Sequence, residues 1–148
     1  MVDLMLDKNK RTIIKSSFAL IFIKSLLSYS LFSKENFSYL FKGPLAGNIY
    51  YTKHKPGRWS KLINSHVPIL NVHSNTLEVS TPHEMKGYDH FIIKHIILDN
   101  KLNFISEKIF DPSKDFPISK HNISGYDHEL YALSICNKHD AWLNMIKI

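Results

Sequence analysis

His90-Phe91-Ile92-Ile93-Lys94-His95-Ile96-Ile97-Leu98 is a long, strongly apolar run that stops at the turn residues Asp99-Asn100. Its length and isoleucine content suit a buried β-strand better than a helix. Runs of the same kind lie on both sides of it. Asn103 to Phe110 follows the turn, and Thr76 to Ser80 alternates cleanly. Val67 to His73 comes after a Pro-Gly turn at 56–57, and Asn48 to Thr52 precedes that turn. Tyr126 to Cys136 alternates in its second half, and Ala141 to Ile148 ends the sequence. Polar turns separate these segments and little helical period is visible. The pattern predicts an all-β fold, an immunoglobulin-like antiparallel β-sandwich of about seven strands over residues 48–148.

The 148 residues are enough for one domain with a real core and hardly for two. Apolar residues make up 44% and charged residues 22%, which excludes disordered and collagen-like chains. A single cysteine excludes an intramolecular disulfide framework and an all-cysteine zinc or iron–sulfur site. The formal charge of +6 is uneven, because residues 1–32 carry five Lys/Arg against two Asp. What remains is a modest, interspersed excess, a solvated surface rather than a nucleic-acid stripe, so no nucleic-acid partner is expected. Nine histidines are the unusual count, since imidazole is the commonest metal ligand.

Residues 1–32 read as a signal or targeting segment and 33–47 as a linker. Lys8 to Arg11 form a basic patch ahead of the apolar stretch Phe18 to Ile23 and the continuation Ser25 to Phe32. That is export-signal architecture, too short and too interrupted by Lys24 for a membrane span. Asn9-Lys10-Arg11-Thr12-Ile13-Ile14-Lys15 is similar to a twin-arginine motif with lysine in the first arginine's place. The expected location is periplasmic or exported, with the cytoplasm as the alternative.

Candidate chemistry gathers in three places. Ser65-His66-Val67-Pro68 puts a histidine at the start of a strand. Pro82-His83-Glu84-Met85-Lys86-Gly87-Tyr88-Asp89-His90 flanks a glycine-containing loop with two more. Cys136-Asn137-Lys138-His139 is a C-x-x-H turn, whose two ends can face one ion.

These segments, in this order, resemble the superoxide reductases of the desulfoferrodoxin/neelaredoxin family. The likeness spans roughly residues 48–148. It rests on His66-Val67-Pro68, on His83-Glu84-Met85 with His90-Phe91-Ile92, and on Cys136-Asn137-Lys138-His139-Asp140-Ala141-Trp142. Pro56-Gly57-Arg58-Trp59 resembles a stretch ahead of the first histidine in exported single-iron members, and no four-cysteine domain precedes it. The resemblance implies one non-haem iron per chain, with His66, His83, His90 and His139 as equatorial ligands and Cys136 as axial thiolate. It implies reduction of superoxide to hydrogen peroxide, with an external electron donor such as a rubredoxin-like protein and a possible homo-oligomer. Four imidazoles and a thiolate exceed zinc's tetrahedral demand and suit a five-coordinate iron.

The chain departs from the family's pattern in three respects. The interval from His83 to His90 is one residue longer than usual, with Gly87 available to absorb it. Glu84 stands where a proline is usual. Ile63, Asn64 and Ser65 replace the glutamate and lysine that typically precede the first histidine. Lys61 is the nearest replacement cation for attracting superoxide, with Lys138 as its rival. An alternative function is a non-catalytic relative that keeps the metal for electron transfer or iron sensing, and a zinc or copper structural module is a third. His54 and His121 read as solvated loop residues, and His95 as an outward-facing residue or a group behind the ligands. Trp142, Tyr131 and Phe91 read as core.

Overall fold

The computed structural model describes residues 39–148, so residues 1–32, read as a targeting segment, and part of 33–47, read as a linker, lie outside the described residues. The compact unit runs from Leu40 to Ile148. Within it, Phe41 and Ala46 are buried, and the Thr52 hydroxyl donates to the Phe41 carbonyl at 3.1 Å. Among the described residues no helix is long and apolar enough to cross a membrane.

Seven strands form two antiparallel sheets, as the spacing of the apolar runs predicts. One sheet orders β1 (Ile69–His73), β2 (Thr76–Ser80) and β5 (Ile118–Asn122) as β1-β2-β5. The other joins β3 (Ile92–Leu98), β4 (Phe104–Ile109), β6 (Glu129–Cys136) and β7 (Asp140–Lys147) in the order β4-β3-β6-β7. Leu77 and Val79 from the first sheet meet Ile97, Leu130 and Ala132 from the second, all nearly inaccessible. Each Leu, Val or Ile side chain withdrawn from water here contributes about 1.5–3 kcal/mol, which fixes the register on this face. A second cluster, Ile92, Phe110 and Cys136 with Met85 against it, lies where β3 begins and β6 ends.

Three local readings are corrected. Asn48 to Thr52 is not a strand in either sheet. Tyr50 and Tyr51 make only isolated bridges, to Ala46 and Trp142, because Gly47 and the turn around it curl the chain back. The apolar run enters β3 at Ile92 rather than at His90, since Asp89 to Phe91 are tied to the β6–β7 turn instead. The strand β5 was not expected, and it carries His121 into the interior.

His95 is likewise buried, not outward-facing. Its Nδ1 meets Ser119 Oγ at 2.8 Å and its Nε2 meets Thr81 Oγ1 at 2.9 Å. Thr81 Oγ1 continues to Ser134 Oγ (2.8 Å), while Ser119 Oγ continues to His121 Nε2 (2.8 Å), whose Nδ1 reaches Ser106 Oγ (2.7 Å). Six polar side chains thus form one satisfied chain through the sandwich, which is what allows them to be buried at all. Trp142 and Tyr131 are core residues, as expected, and Phe91 is half-buried.

Candidate metal centre

Four segments end at one place. A 3-10 segment, Gly57–Leu62, runs into a single α-turn, Ile63–His66, which delivers His66 just before Pro68 and β1. His83 follows β2 and Thr81, whose carbonyl accepts the His83 amide at 2.7 Å. His90 sits on the return of a turn whose Gly87 has φ +53, a conformation that other residues rarely adopt. Lys86 and His90 form an isolated bridge across that turn. Cys136 closes β6, and His139 lies in the turn to β7.

Asn137 fastens the last two segments together. Its Oδ1 accepts the Phe91 amide at 3.0 Å, and its Nδ2 donates to the Asp89 carbonyl at 3.1 Å. Its own amide donates to the Phe91 carbonyl at 3.1 Å. Lys138 Nζ adds an ion pair to Asp89 at 3.0 Å.

The five residues named from the sequence are brought together, with one ligand atom of each within 4.8 Å of all the others. His66 Nε2 and His139 Nδ1 are 3.0 Å apart, as are His139 Nδ1 and His90 Nε2, and His90 Nε2 and His83 Nε2. Neighbouring rings stand close to perpendicular, while His66 and His90 face each other at 29° across the group. The four nitrogens therefore sit near the corners of a square, three of whose edges are 3.0 Å. With 3.0 Å edges its centre is about 2.1 Å from each corner, an ordinary metal–imidazole bond length. Cys136 Sγ is 3.6 Å from both His83 Nε2 and His139 Nδ1, which are opposite corners. Equal distances to opposite corners put the sulfur midway between them, and because a position in the plane would collide with the His66 or His90 nitrogen, the sulfur lies off that plane.

Ring orientations are set by groups that the motif reading did not single out. The Ser65 hydroxyl donates to the Leu62 carbonyl at 3.1 Å, so at 2.8 Å from His66 Nδ1 it acts as the acceptor. His83 Nδ1 donates to the Glu84 carbonyl. Both bonds hold the proton on Nδ1 and leave the Nε2 lone pair facing the centre. Burial, then the neighbouring imidazoles of His83 and His139, push the His66 pKa down to about 4. His83, His90 and His139 are also lowered, each chiefly by burial. All four are neutral donors near pH 7, as metal ligation requires. Burial pushes the Cys136 thiol up, and the backbone N–H groups of Lys138 and His139 oppose this. A coordinated cation drives such a thiol to thiolate.

The donor set fits one five-coordinate iron. It offers more ligands than zinc usually takes, combines imidazole with one thiolate, and spaces the nitrogens for first-row metal bonds. His66, His83 and Cys136 are buried while His90 and His139 are half-buried, so the sulfur lies on the inner side. Among the described residues no sixth His, Cys, Asp or Glu joins the group. Lys61 is exposed at the end of the 3-10 segment, and Lys138 is exposed beside His139.

No protein-family model matches the chain, and no curated protein matches it in sequence. Solved structures do match its fold. The superoxide reductase (neelaredoxin) of Ignicoccus hospitalis aligns with a TM-score of 0.57 at 20% identity, over 69% of this chain and 95% of that one. A variant of the same protein gives a TM-score of 0.60 at 20% identity, over 69% and 94%. A variant of the superoxide reductase (neelaredoxin) of Archaeoglobus fulgidus, in the reduced form, gives 0.51 at 16% identity, over 61% and 91%. The chain has the β-sandwich fold of these proteins, as the resemblance implies.

Proposed function

We propose that this chain is a superoxide reductase of the one-iron type. The observation that carries the reading is the group of four imidazole nitrogens at 3.0 Å spacings with Cys136 Sγ 3.6 Å from two opposite members. Bound there, iron supplies one-electron reduction of superoxide, which with two protons gives hydrogen peroxide, and an external donor such as a rubredoxin-like protein restores the ferrous state. The chain's own residues hold and tune the site. Ser65 and the Glu84 carbonyl fix two imidazole tautomers, and Asn137 fixes the loop that carries His90. Ile92 and Phe110 keep water from the sulfur side, which leaves the opposite face for substrate. Purified protein reconstituted with ferrous iron is expected to hold one iron per chain and to consume superoxide with peroxide as product. Stoichiometric zinc, with no ferrous site and no colour on oxidation, would show the reading to be wrong.

Superoxide is an anion, so a cation beside the open face raises its encounter rate in a salt-dependent way. Lys61 fills this role in the proposal, and among the described residues it has no ion-pair partner to offset its charge. Lys138 is the rival. Its charge lowers the pKa of both His90 and His139, but Asp89 pairs with it. Lys61→Met is expected to slow the bimolecular reaction severalfold and flatten its ionic-strength dependence, with iron content unchanged. If Lys138→Met does this and Lys61→Met does not, the steering group is Lys138.

A second reading, a metal-holding relative that transfers electrons or senses iron, is favoured by Ile63, Asn64 and Ser65 at the positions where the resembled family has glutamate and lysine. Reversible oxidation with no superoxide consumption selects it. Export is also proposed, on the composition of residues 1–32. A chain starting at Lys34 is expected to fold and bind iron like the full one, and loss of soluble, metal-loaded protein would place the apolar stretch in the core.

A further inference from the structure

The four imidazoles are not secured alike. His66 and His83 each have their second ring nitrogen in a hydrogen bond, to Ser65 Oγ and the Glu84 carbonyl. His139 turns Nδ1 to the centre, and among the described residues no protein group bonds its Nε2. Its backbone is held separately, the Trp142 indole N–H donating to the His139 carbonyl at 2.9 Å. A fixed backbone still leaves the side-chain torsions free, so something else must set the ring.

Trp59 stands against that ring, with centroids 4.7 Å apart and planes at 77°. The Trp59 indole is itself fixed. Its N–H donates to Asp140 Oδ2 at 2.9 Å, and the same oxygen takes Arg58 Nη2 at 2.6 Å. The Arg58 guanidinium lies over the Trp59 ring, 5.2 Å from its centroid. Asp140 has φ +64, a left-handed conformation that glycine adopts at less cost. What aspartate adds at this position is its carboxylate, the atom group that receives Trp59 and Arg58. The contact joins the 3-10 segment to the β6–β7 turn across 81 residues of sequence.

We infer that Trp59 and Asp140 form a positioning latch for His139: the carboxylate holds the indole, and the indole packed against the imidazole sets it so that Nδ1 completes the group of four nitrogens. Neither residue touches the reacting atoms. The inference rests on the metal-centre reading above, since a latch on His139 matters only if His139 is a ligand.

Three variants separate the latch from a mere strut. Trp59→Phe keeps an aromatic ring and removes the N–H. Asp140→Gly suits the left-handed backbone and removes the carboxylate. Asp140→Asn keeps an oxygen that can accept the indole N–H. In iron-loaded protein, the first two are expected to release iron to a chelator about tenfold faster and to broaden the thiolate-to-iron absorption band, and Asp140→Asn to stay near the parent. In metal-free protein, the imidazole nitrogen resonances of His139 are expected to be sharp in the parent and in Asp140→Asn, and broadened in the other two. Unchanged release, band width and resonances in Trp59→Phe and Asp140→Gly would overturn the latch. So would an Asp140→Asn variant as impaired as Asp140→Gly. A parent protein that takes up no iron defeats the metal-centre reading instead, and the metal-free resonances then still decide whether Trp59 and Asp140 orient His139.

Discussion

Cys136→Ser is expected to remove the visible thiolate-to-iron charge-transfer band completely and to weaken iron binding by well over tenfold. The sulfur is the only ligand off the plane of the four nitrogens, so no neighbouring imidazole can replace it. A serine hydroxyl is close in size, so the Ile92–Phe110 cluster around it changes little, but it does not ionise near neutral pH as a metal-bound thiol does. The fold should persist, and far-ultraviolet circular dichroism checks that it does. Metal analysis and an absorption spectrum of the oxidised protein read the rest. A band that survives the substitution would remove Cys136 from the coordination sphere.

The second large effect is a loss of stability in acid that passes through His95. Burial, with a smaller contribution from the charge of nearby His121, pushes the His95 pKa down to about 3 from the usual 6.5. The hydroxyls of Thr81, Ser119 and Ser106 bond the two rings in this network, and Phe110 packs on His95 at 4.9 Å. The unfolded chain takes up a proton on this residue below about pH 6.5, whereas the folded chain takes it up only near pH 3. The stability due to neutral His95 is therefore complete above pH 6.5 and is lost as the pH falls from 6.5 to 3. The slope approaches about 1.4 kcal/mol per pH unit and the total is roughly 4–5 kcal/mol. Denaturant titrations of metal-free protein at pH 7, 6, 5 and 4 measure it. His95→Gln should be less stable at pH 7, with one proton less in its pH slope. Since the ligand histidines titrate equally in both proteins, the difference isolates His95. Parallel slopes would show that His95 is not the acid-sensitive group.

His95 and His121 also mark where the fold stopped being legible in the sequence. The strands β2, β3 and β6 announce themselves because Leu77, Val79, Ile92, Ile97, Leu130 and Ala132 are among their buried positions, and apolar spacing is what a local reading detects. In β5 the inward residues are Ser119 and His121 while Ile118 points outward, so the pattern is inverted. Only the facing hydroxyls and imidazoles, brought from other strands, make that inversion tolerable. The ligands were legible because each lies within a short motif beside a strand. Ser65 was read only as a departure, and the tie between Trp59 and Asp140 had no local signal at all. An indole and a carboxylate 81 residues apart become partners only when the turn between β6 and β7 lies against the 3-10 segment.

The loop between His83 and His90 carries a consequence for how such chains diverge. At Gly87 a side-chain carbon would meet nothing within 4 Å, and Glu84, Lys86, Tyr88 and Asp89 around it are exposed. The register shift between Ile92 and Lys94 separates this loop from the paired part of β3, so a length change here need not slide the strand. Insertions and deletions can therefore drift through this stretch while the two imidazoles keep their aim. The interval between the ligands then constrains the site less than the direction in which each Nε2 points.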